Sequence, residues 1–302
     1  MASNSSIAPL YSPEEISKAW LERILSHKLK TQVSIQSWDM KIPEKRNGFL
    51  SEICFVEVLI YGSKDECKKI PLVVKFMSME KERVEFIKLG NLGKREVSVY
   101  THAASEDFKN FCFASGLDHP IPDVFCSCMG GDLLTIVLSD LNAKGYRMCA
   151  PAEGSTLQQI KSTFDSIAVI HAFGYASIYK NGREQFHIPF ETSYLDDILD
   201  QGMRKLIKFF AGTTVEKTLH ALVPFQKEMI SVSQNYPLIE TLVHGDLWAG
   251  NVMFTADDMK ASIFDWQFAC VDNPLCDVTS MLLISAEPAV YEEHLSEVLD
   301  CY

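Results

Sequence analysis

Along residues 14–29, Ile16, Ala19, Trp20, Ile24 and Leu25 fall at the spacing of one helical stripe. Ser12 is a suitable cap, Pro13 suits the first helical position, and Glu14 and Glu15 suit the first turn, so a helix is predicted from Pro13 to about Leu29. Residues 1–13 read as a flexible lead. The period then shortens. Val33-Ser34-Ile35, Cys54 to Tyr61 and Pro71 to Phe76 are short β-branched and aromatic runs separated by turn residues, as expected of antiparallel strands. Residues 80–105 return to helical spacing, with an interruption expected at Gly90-Asn91. Asp132 to Leu138 reads as a strand that ends at Ser139-Asp140-Leu141-Asn142.

The remainder is mostly helical. Thr156 to Phe173, Ser193 to Ala211, Thr214 to Gln234 and Pro274 to Ile284 carry helical spacing, and so does Pro288 to Tyr302. Two short strands, Val252-Met253-Phe254 and Ala261 to Phe264, interrupt them. A strand-rich front and a helix-rich back make a two-lobed α+β protein. The divisions expected are the lead at 1–13, an N-lobe at 14–138 and a helical C-lobe at 139–302.

Composition narrows the function classes. The chain has 302 residues, and Lys plus Arg total 28 against 40 for Asp plus Glu, a formal net charge of −12. That balance argues against nucleic acid as a partner, whose binders present a basic footprint. No apolar run approaches the roughly 18 residues of a membrane span, and the first residues lack the basic-then-apolar order of a secretory signal. Nine scattered cysteines, of which only Cys126 and Cys128 lie close together, read as reduced thiols. The expected compartment is the cytoplasm.

The chemistry is concentrated in His244-Gly245-Asp246-Leu247-Trp248-Ala249-Gly250-Asn251-Val252-Met253-Phe254 and, after a turn, Asp265-Trp266-Gln267. His-x-Asp, an Asn five residues on, and an Asp after a second apolar strand form a phosphotransfer pattern. One carboxylate must meet the acceptor hydroxyl, while an amide oxygen and a second carboxylate hold Mg²⁺ against nucleotide phosphates. Taken singly, each residue has a plainer reading: Asp246 as a turn residue, Asn251 as a loop cap, Asp265 as a solvated loop acid.

In the front half, Lys75 ends an apolar strand and is placed to bind phosphates, with Glu96 on the next helix placed to pair with it. An edge-strand solubiliser and an exposed helical charge are the plainer alternatives. Asn47 to Ser51 contains one glycine and no G-x-G-x-x-G. A hairpin there would offer N–H groups and the Ser51 hydroxyl to phosphate, though an ordinary turn explains the segment nearly as well.

The block from His244 to Phe254, with Asp265-Trp266-Gln267, resembles the ecdysteroid kinase-like family, choline-kinase-like proteins of the wider aminoglycoside phosphotransferase and protein-kinase-like group. Val137 to Leu141 with Gly145-Tyr146-Arg147, Lys94 to Tyr100, and Ile167 to Ala172 are similar to other segments of that family, so the resemblance spans about residues 30–285. It implies a protein-kinase-like fold with an antiparallel-sheet N-lobe and a mainly helical C-lobe. It also implies Asp246 as catalytic base, Asn251 and Asp265 as magnesium ligands, and Lys75 with Glu96 as the phosphate-positioning pair. His244 would support the loop, the backbone from Ser139 to Leu141 would hold adenine, and Asp277 would brace the catalytic loop. For Asp277 the alternative is a helix-start acid favoured by the macrodipole.

Two departures accompany the resemblance. Asp265-Trp266-Gln267 replaces the commoner Asp-Phe-Gln. Family members also usually continue further beyond Asp265, so an exposed apolar patch is expected on the C-lobe, either closed by self-association or marking a truncated isoform with impaired turnover. The expected activity is an ATP- and Mg²⁺-dependent kinase acting on a hydroxyl of a small molecule, a steroid-like alcohol or an amino alcohol. The alternative is a kinase-like protein that binds nucleotide as a scaffold without turnover. A protein kinase is disfavoured, because no Ala-Pro-Glu follows Asp265.

Overall fold

The computed structural model describes residues 7–43, 50–61, 67–78, 80–149, 154–188, 192–225 and 239–302. Helix α1 (Lys18–Leu29) precedes strands β1 (Ile35–Lys41), β2 (Ser51–Tyr61) and β3 (Cys67–Met77). Helices α2 (Lys81–Leu89), α3 (Leu92–Ala103) and α4 (Glu106–Ala114) follow, then β4 (Val124–Gly130) and β5 (Leu133–Ser139). These strands form one antiparallel sheet in the order β1-β2-β3-β5-β4.

Alternation along the strands gives the sheet two apolar faces. Cys54, Val56, Val58 and Ile60 of β2, with Ile70, Leu72, Val74 and Phe76 of β3, pack against Trp20, Leu21, Ile24 and Leu25 of α1. Ile136 and Leu138 of β5 enter a second core, which runs from α3 into the helical half. One strand thus supplies both cores, which is why its run is apolar at nearly every position.

The expected first helix is divided. Pro13–Glu15 form a single 3₁₀ turn, Ile16 is extended, and α1 begins only after Ser17, whose side chain accepts from Trp20 N. Ser12 makes no such bond. Burial of Ile16 in the core fixes this break. The lead is also more anchored than expected: Ile7 is buried, and Leu10 N–H donates to Thr135 Oγ1 at 2.8 Å. Residues 1–6 lie outside the described residues. The interruption at Gly90-Asn91 is present, with Asn91 in the left-handed region (φ 51°).

In the second half, β6 (Arg147–Met148) precedes the long helix α5 (Leu157–Asn181), which opens with a reciprocal Thr156–Gln159 capping box. Helices α6 (Thr192–Phe209) and α7 (Thr214–Leu222) follow, with one 3₁₀ turn at Val223–Phe225. The predicted continuation from 226 to Gln234 lies outside the described residues. Strands β7 (Thr241–Val243), β8 (Val252–Phe254), β9 (Ala261–Ile263) and β10 (Cys270–Asp272) then lead to α8 (Leu275–Ser285), α9 (Pro288–Glu293) and α10 (Leu295–Cys301). β7 pairs with β10, and β8 lies between β6 and β9.

β7 rests directly on α5 at Gly174, where a Cβ would fall 2.6 Å from Thr241 Oγ1 and 2.7 Å from Leu242 N. Only glycine admits that approach. On α8, Leu275, Leu283 and Ile284 are exposed. Among the described residues no helix is long and apolar enough to cross a membrane.

Candidate functional site

The alternation that sends Val74 and Phe76 toward α1 turns Val73 and Lys75 to the opposite face. There Lys75 meets two carboxylates: its Nζ lies 2.7 Å from Glu96 Oε1 and 2.6 Å from Asp265 Oδ1. β3 is an interior strand and Lys75 is 8% exposed, which removes the edge-solubiliser reading. Glu96 is 1% exposed, so it is not a surface charge either.

Burial works against the Lys75 charge, but Asp265 and Glu96 outweigh it and hold its pKa above the ordinary lysine value. Burial pushes Glu96 up to about 7, with Asp265 adding to the rise and Lys75 opposing it. Two acids share one ammonium, and the less favoured acid binds a proton more readily.

Helix α3 is fixed in place by Arg95, a buried residue whose Nε, Nη1 and Nη2 donate to the carbonyls of Gly90, Ala269 and Ile188 at 2.9, 2.8 and 2.5 Å. The same helix presents Tyr100, whose hydroxyl accepts the Asp265 N–H at 3.2 Å. Asp265 itself is left-handed (φ 68°), so the backbone turns sharply after β9.

The loop between β7 and β8 is equally constrained. Gly245 has φ 77°, and a Cβ there would fall 2.4 Å from Phe268 O. Asp246 N–H donates to His244 Nδ1 at 3.2 Å, and His244 Nε2 lies 3.0 Å from Phe264 O. A carbonyl only accepts and an N–H only donates, so these partners select the neutral Nε2–H tautomer. Asn251 Nδ2 donates to Asp246 O at 2.8 Å and to Asp246 Oδ2 at 3.1 Å. Both amide hydrogens are thereby used, which leaves Oδ1 as the acceptor open to a further partner. Burial raises the Asp246 pKa above the ordinary aspartate value, with Asp265 and Asp277 adding to it and the Asn251 hydrogen bond opposing.

Asp277, in the first turn of α8, is 1% exposed. It accepts His244 N–H at 2.6 Å and Gly245 N–H at 2.9 Å, and His171 Nε2 lies 3.1 Å from Oδ2. The Tyr302 hydroxyl sits 2.6 Å from His171 Nδ1. Sequence reasoning gave no role to Arg95, Tyr100 or His171. A charged or polar residue on a helix's apolar face was the available signal for Arg95 and His171.

A cleft of about 420 Å³ lies between the sheet and the helical half. Val73, Leu138, Leu141, Met253 and Phe264 line its apolar part, and Lys75, Glu96 and Asp265 its polar end. The size and the few convergent polar groups suit a bound small molecule. Ser51 and Ser139 also reach it. Asp246, Asn251, His244 and Asp277 are not among its walls; their loop adjoins it through Gly250 and Phe264, whose N–H donates to Asn251 O at 3.1 Å.

At the cleft's far end, Ser139 N–H donates to Asp123 O and Asp140 N–H to Pro71 O. Leu141 N–H has no partner among the described residues. Asn47, Gly48 and Phe49 lie outside them.

The donor set suits a divalent hard cation shared with phosphate. Asn251 Oδ1 and the Asp265 carboxylate would be its protein oxygens, and Mg²⁺ takes only one or two protein carboxylates when phosphates complete its shell. Among the described residues no cluster of three His, Cys, Asp or Glu forms a protein-only metal cage.

The family model described as the ecdysteroid kinase-like family matches residues 45–302. Among solved structures, an ethanolamine kinase of Plasmodium vivax is similar with a TM-score of 0.51 and 10% identity, covering 98% of this chain and 80% of that one. A choline/ethanolamine kinase family protein of Mesorhizobium loti gives 0.46 and 14%, covering 86% and 68%. A type I macrolide 2′-phosphotransferase gives 0.45 and 13%, covering 95% and 82%. At 10% identity the likeness to the Plasmodium vivax kinase concerns the fold, which is two-lobed and kinase-like. No curated protein matches the chain.

Proposed function

The chain belongs to the ecdysteroid kinase-like family, small-molecule O-phosphotransferases of the protein-kinase-like superfamily, and from that premise we propose that it transfers the γ-phosphoryl group of ATP to a hydroxyl of a small molecule, with Mg²⁺ held at Asn251 and Asp265. The observation that carries this reading is Lys75 bridging Glu96 and Asp265 at the polar end of the 420 Å³ cleft.

Leu141 N–H donates to adenine in this reading, and the apolar walls take its faces. Lys75 meets the α- and β-phosphates while Glu96 holds its ammonium in place. When bound, the metal neutralises phosphate charge. Asp246, oriented by Asn251 and His244, accepts the proton of the acceptor hydroxyl. The acceptor oxygen bonds to the γ-phosphorus as the bond from that phosphorus to the bridging oxygen breaks, and ADP leaves.

Trp248 is 40% exposed, two residues from Asp246, with its ring packed over Gly250. A flat aromatic face suits either a steroid-like alcohol or, by cation–π attraction, an amino alcohol. The test is ADP release with a panel containing both classes. An acceptor that stimulates release, with loss of about 10²–10⁴ in Asp246→Asn and retained ATP binding, is the expected result. ATP binding without stimulation by any acceptor would instead favour a non-catalytic nucleotide-binding protein. Turnover surviving in Asp246→Asn within about tenfold would remove that residue as the base.

A further inference from the structure

Across α3 from the cleft lies a second concavity, of about 160 Å³, which no step of the transfer uses. Its walls are the end of α1, the end of α3, the start of α4 and the first half of β4. Lys28 and Lys30 enter from α1 and its left-handed cap, and Lys109 from α4. In a chain of net charge −12, this pocket gathers three ammonium groups and a single carboxylate, Glu106.

Lys28 is the anchored member. Its Nζ donates to Val124 O at 2.7 Å and lies 5.5 Å from the centre of the Phe125 ring. One of its three donors is thus engaged. Burial lowers its pKa, and Lys109 and Lys144 repel its charge further, with Asp123 and Glu106 only partly offsetting them. Lys144 pairs with Asp123 at 2.7 Å, and Lys109 with Glu106 at 3.3 Å. The pocket walls thus carry three ammonium groups against one carboxylate, an excess of two positive charges. The hydroxyls of Thr101 and Ser127 both donate to Val97 O, so the side-chain donors offered to a ligand are chiefly the ammonium groups, with the His27 imidazole beside them.

We propose that this concavity is a binding site for a small, soluble, multivalent oxyanion bearing a phosphate or pyrophosphate group, distinct from the nucleotide cleft. Its volume falls below the roughly 300 Å³ at which pockets for drug-sized ligands begin, which suits a phosphate group rather than a whole nucleotide. An excess of charged donors over the single carboxylate favours an anion, and an excess of two positive charges favours a multivalent one. Lysines serve such a site as point charges.

The test is calorimetric titration of inorganic pyrophosphate into the full chain without Mg²⁺. Wild type is compared with Lys30→Gln/Lys109→Gln, with Lys109→Glu alone, and with Lys75→Met, which disables the cleft. Lys30 and Lys109 are exposed, so the first two variants should keep the wild-type melting temperature. Lys75→Met is expected to retain a pyrophosphate site that the double variant weakens at least about tenfold, the scale of one charge-assisted hydrogen bond. Two sites in wild type, each removed by its own variant, would support the proposal equally. Absence of binding at about 10 mM would overturn it. So would binding that Lys75→Met abolishes and the pocket variants leave unchanged.

Discussion

The Lys75 ammonium lies 2.6 Å from Asp265 Oδ1, joining an interior strand of the sheet to the turn after β9 across 190 positions of sequence. The same ammonium meets Glu96 at 2.7 Å. Removing it strands two acids in a poorly solvated place, so Lys75→Met is expected to cost about 3 kcal/mol in urea unfolding at pH 8, the scale of breaking a buried ion pair. Nucleotide affinity should fall about 10- to 100-fold with it, the worth of one or two charge-assisted contacts to phosphate. A loss under about 0.5 kcal/mol, the scale of an ordinary surface change, would mean that solvent replaces the ammonium freely.

Asp265→Asn tests the metal assignment. A ligand that binds only the native state raises stability by mass action, about 2.7 kcal/mol at one hundred times its Kd. With Mg²⁺ present, ATP should raise the melting temperature of wild type more than it does in EDTA. The variant should keep the EDTA shift and lose most of the added part. Equal shifts of wild type with and without Mg²⁺ would remove Asn251 and Asp265 as ligands.

Asp277 separates two readings by magnitude. As a helix-start acid it would contribute about 0.3–1 kcal/mol through the macrodipole. Its carboxylate instead takes the N–H groups of His244 and Gly245, with His171 as a third partner. Leaving those buried donors unsatisfied costs about 1–3 kcal/mol each. Asp277→Ala is therefore expected to lose about 3–5 kcal/mol in urea unfolding, and Asp277→Asn less, since one oxygen remains. Loss below about 1 kcal/mol for the alanine variant would return Asp277 to the simpler role.

What the sequence made legible follows from how local each signal is. Lys75 was readable because β3 alternates and because the residue interrupts an apolar run. The break between α2 and α3 was readable because Asn tolerates the left-handed region that Asn91 occupies. β4 was not: Cys126, Ser127 and Cys128 are weak strand markers, and a register shift between Val124 and Cys126 disrupts the alternation. Strands β6, β7 and β10 have only two or three residues, too few to show a period. Pro13 and two acids made Ser12 the expected cap, whereas the helix begins after Ser17, because Ile16 between them is extended and buried in the core. Arg95 takes carbonyls from Gly90, Ile188 and Ala269, partners that only the folded chain assembles.

Glu96 has an ordinary pKa of 4.5 and is raised to about 7 by burial, with Asp265 adding to the rise and Lys75 opposing it. Between those values the folded protein binds this proton and the unfolded chain releases it. Stability from this group is therefore fully present below about pH 4.5, falls as pH rises toward 7, and levels off above. Asp246 is also raised, and shifts the total in the same direction over its own range. The informative quantity is thus a difference between proteins. Glu96→Gln keeps the shape, removes the titration, and should flatten the decline in the urea midpoint between pH 5 and 7 relative to wild type. Above pH 7 the variant also spares Lys75 from being shared between two charged acids, so its stability there should equal or exceed that of wild type. Parallel profiles for the two proteins across this range would show that Glu96 does not carry the proton, and that the excess negative charge beside Lys75 is relieved elsewhere.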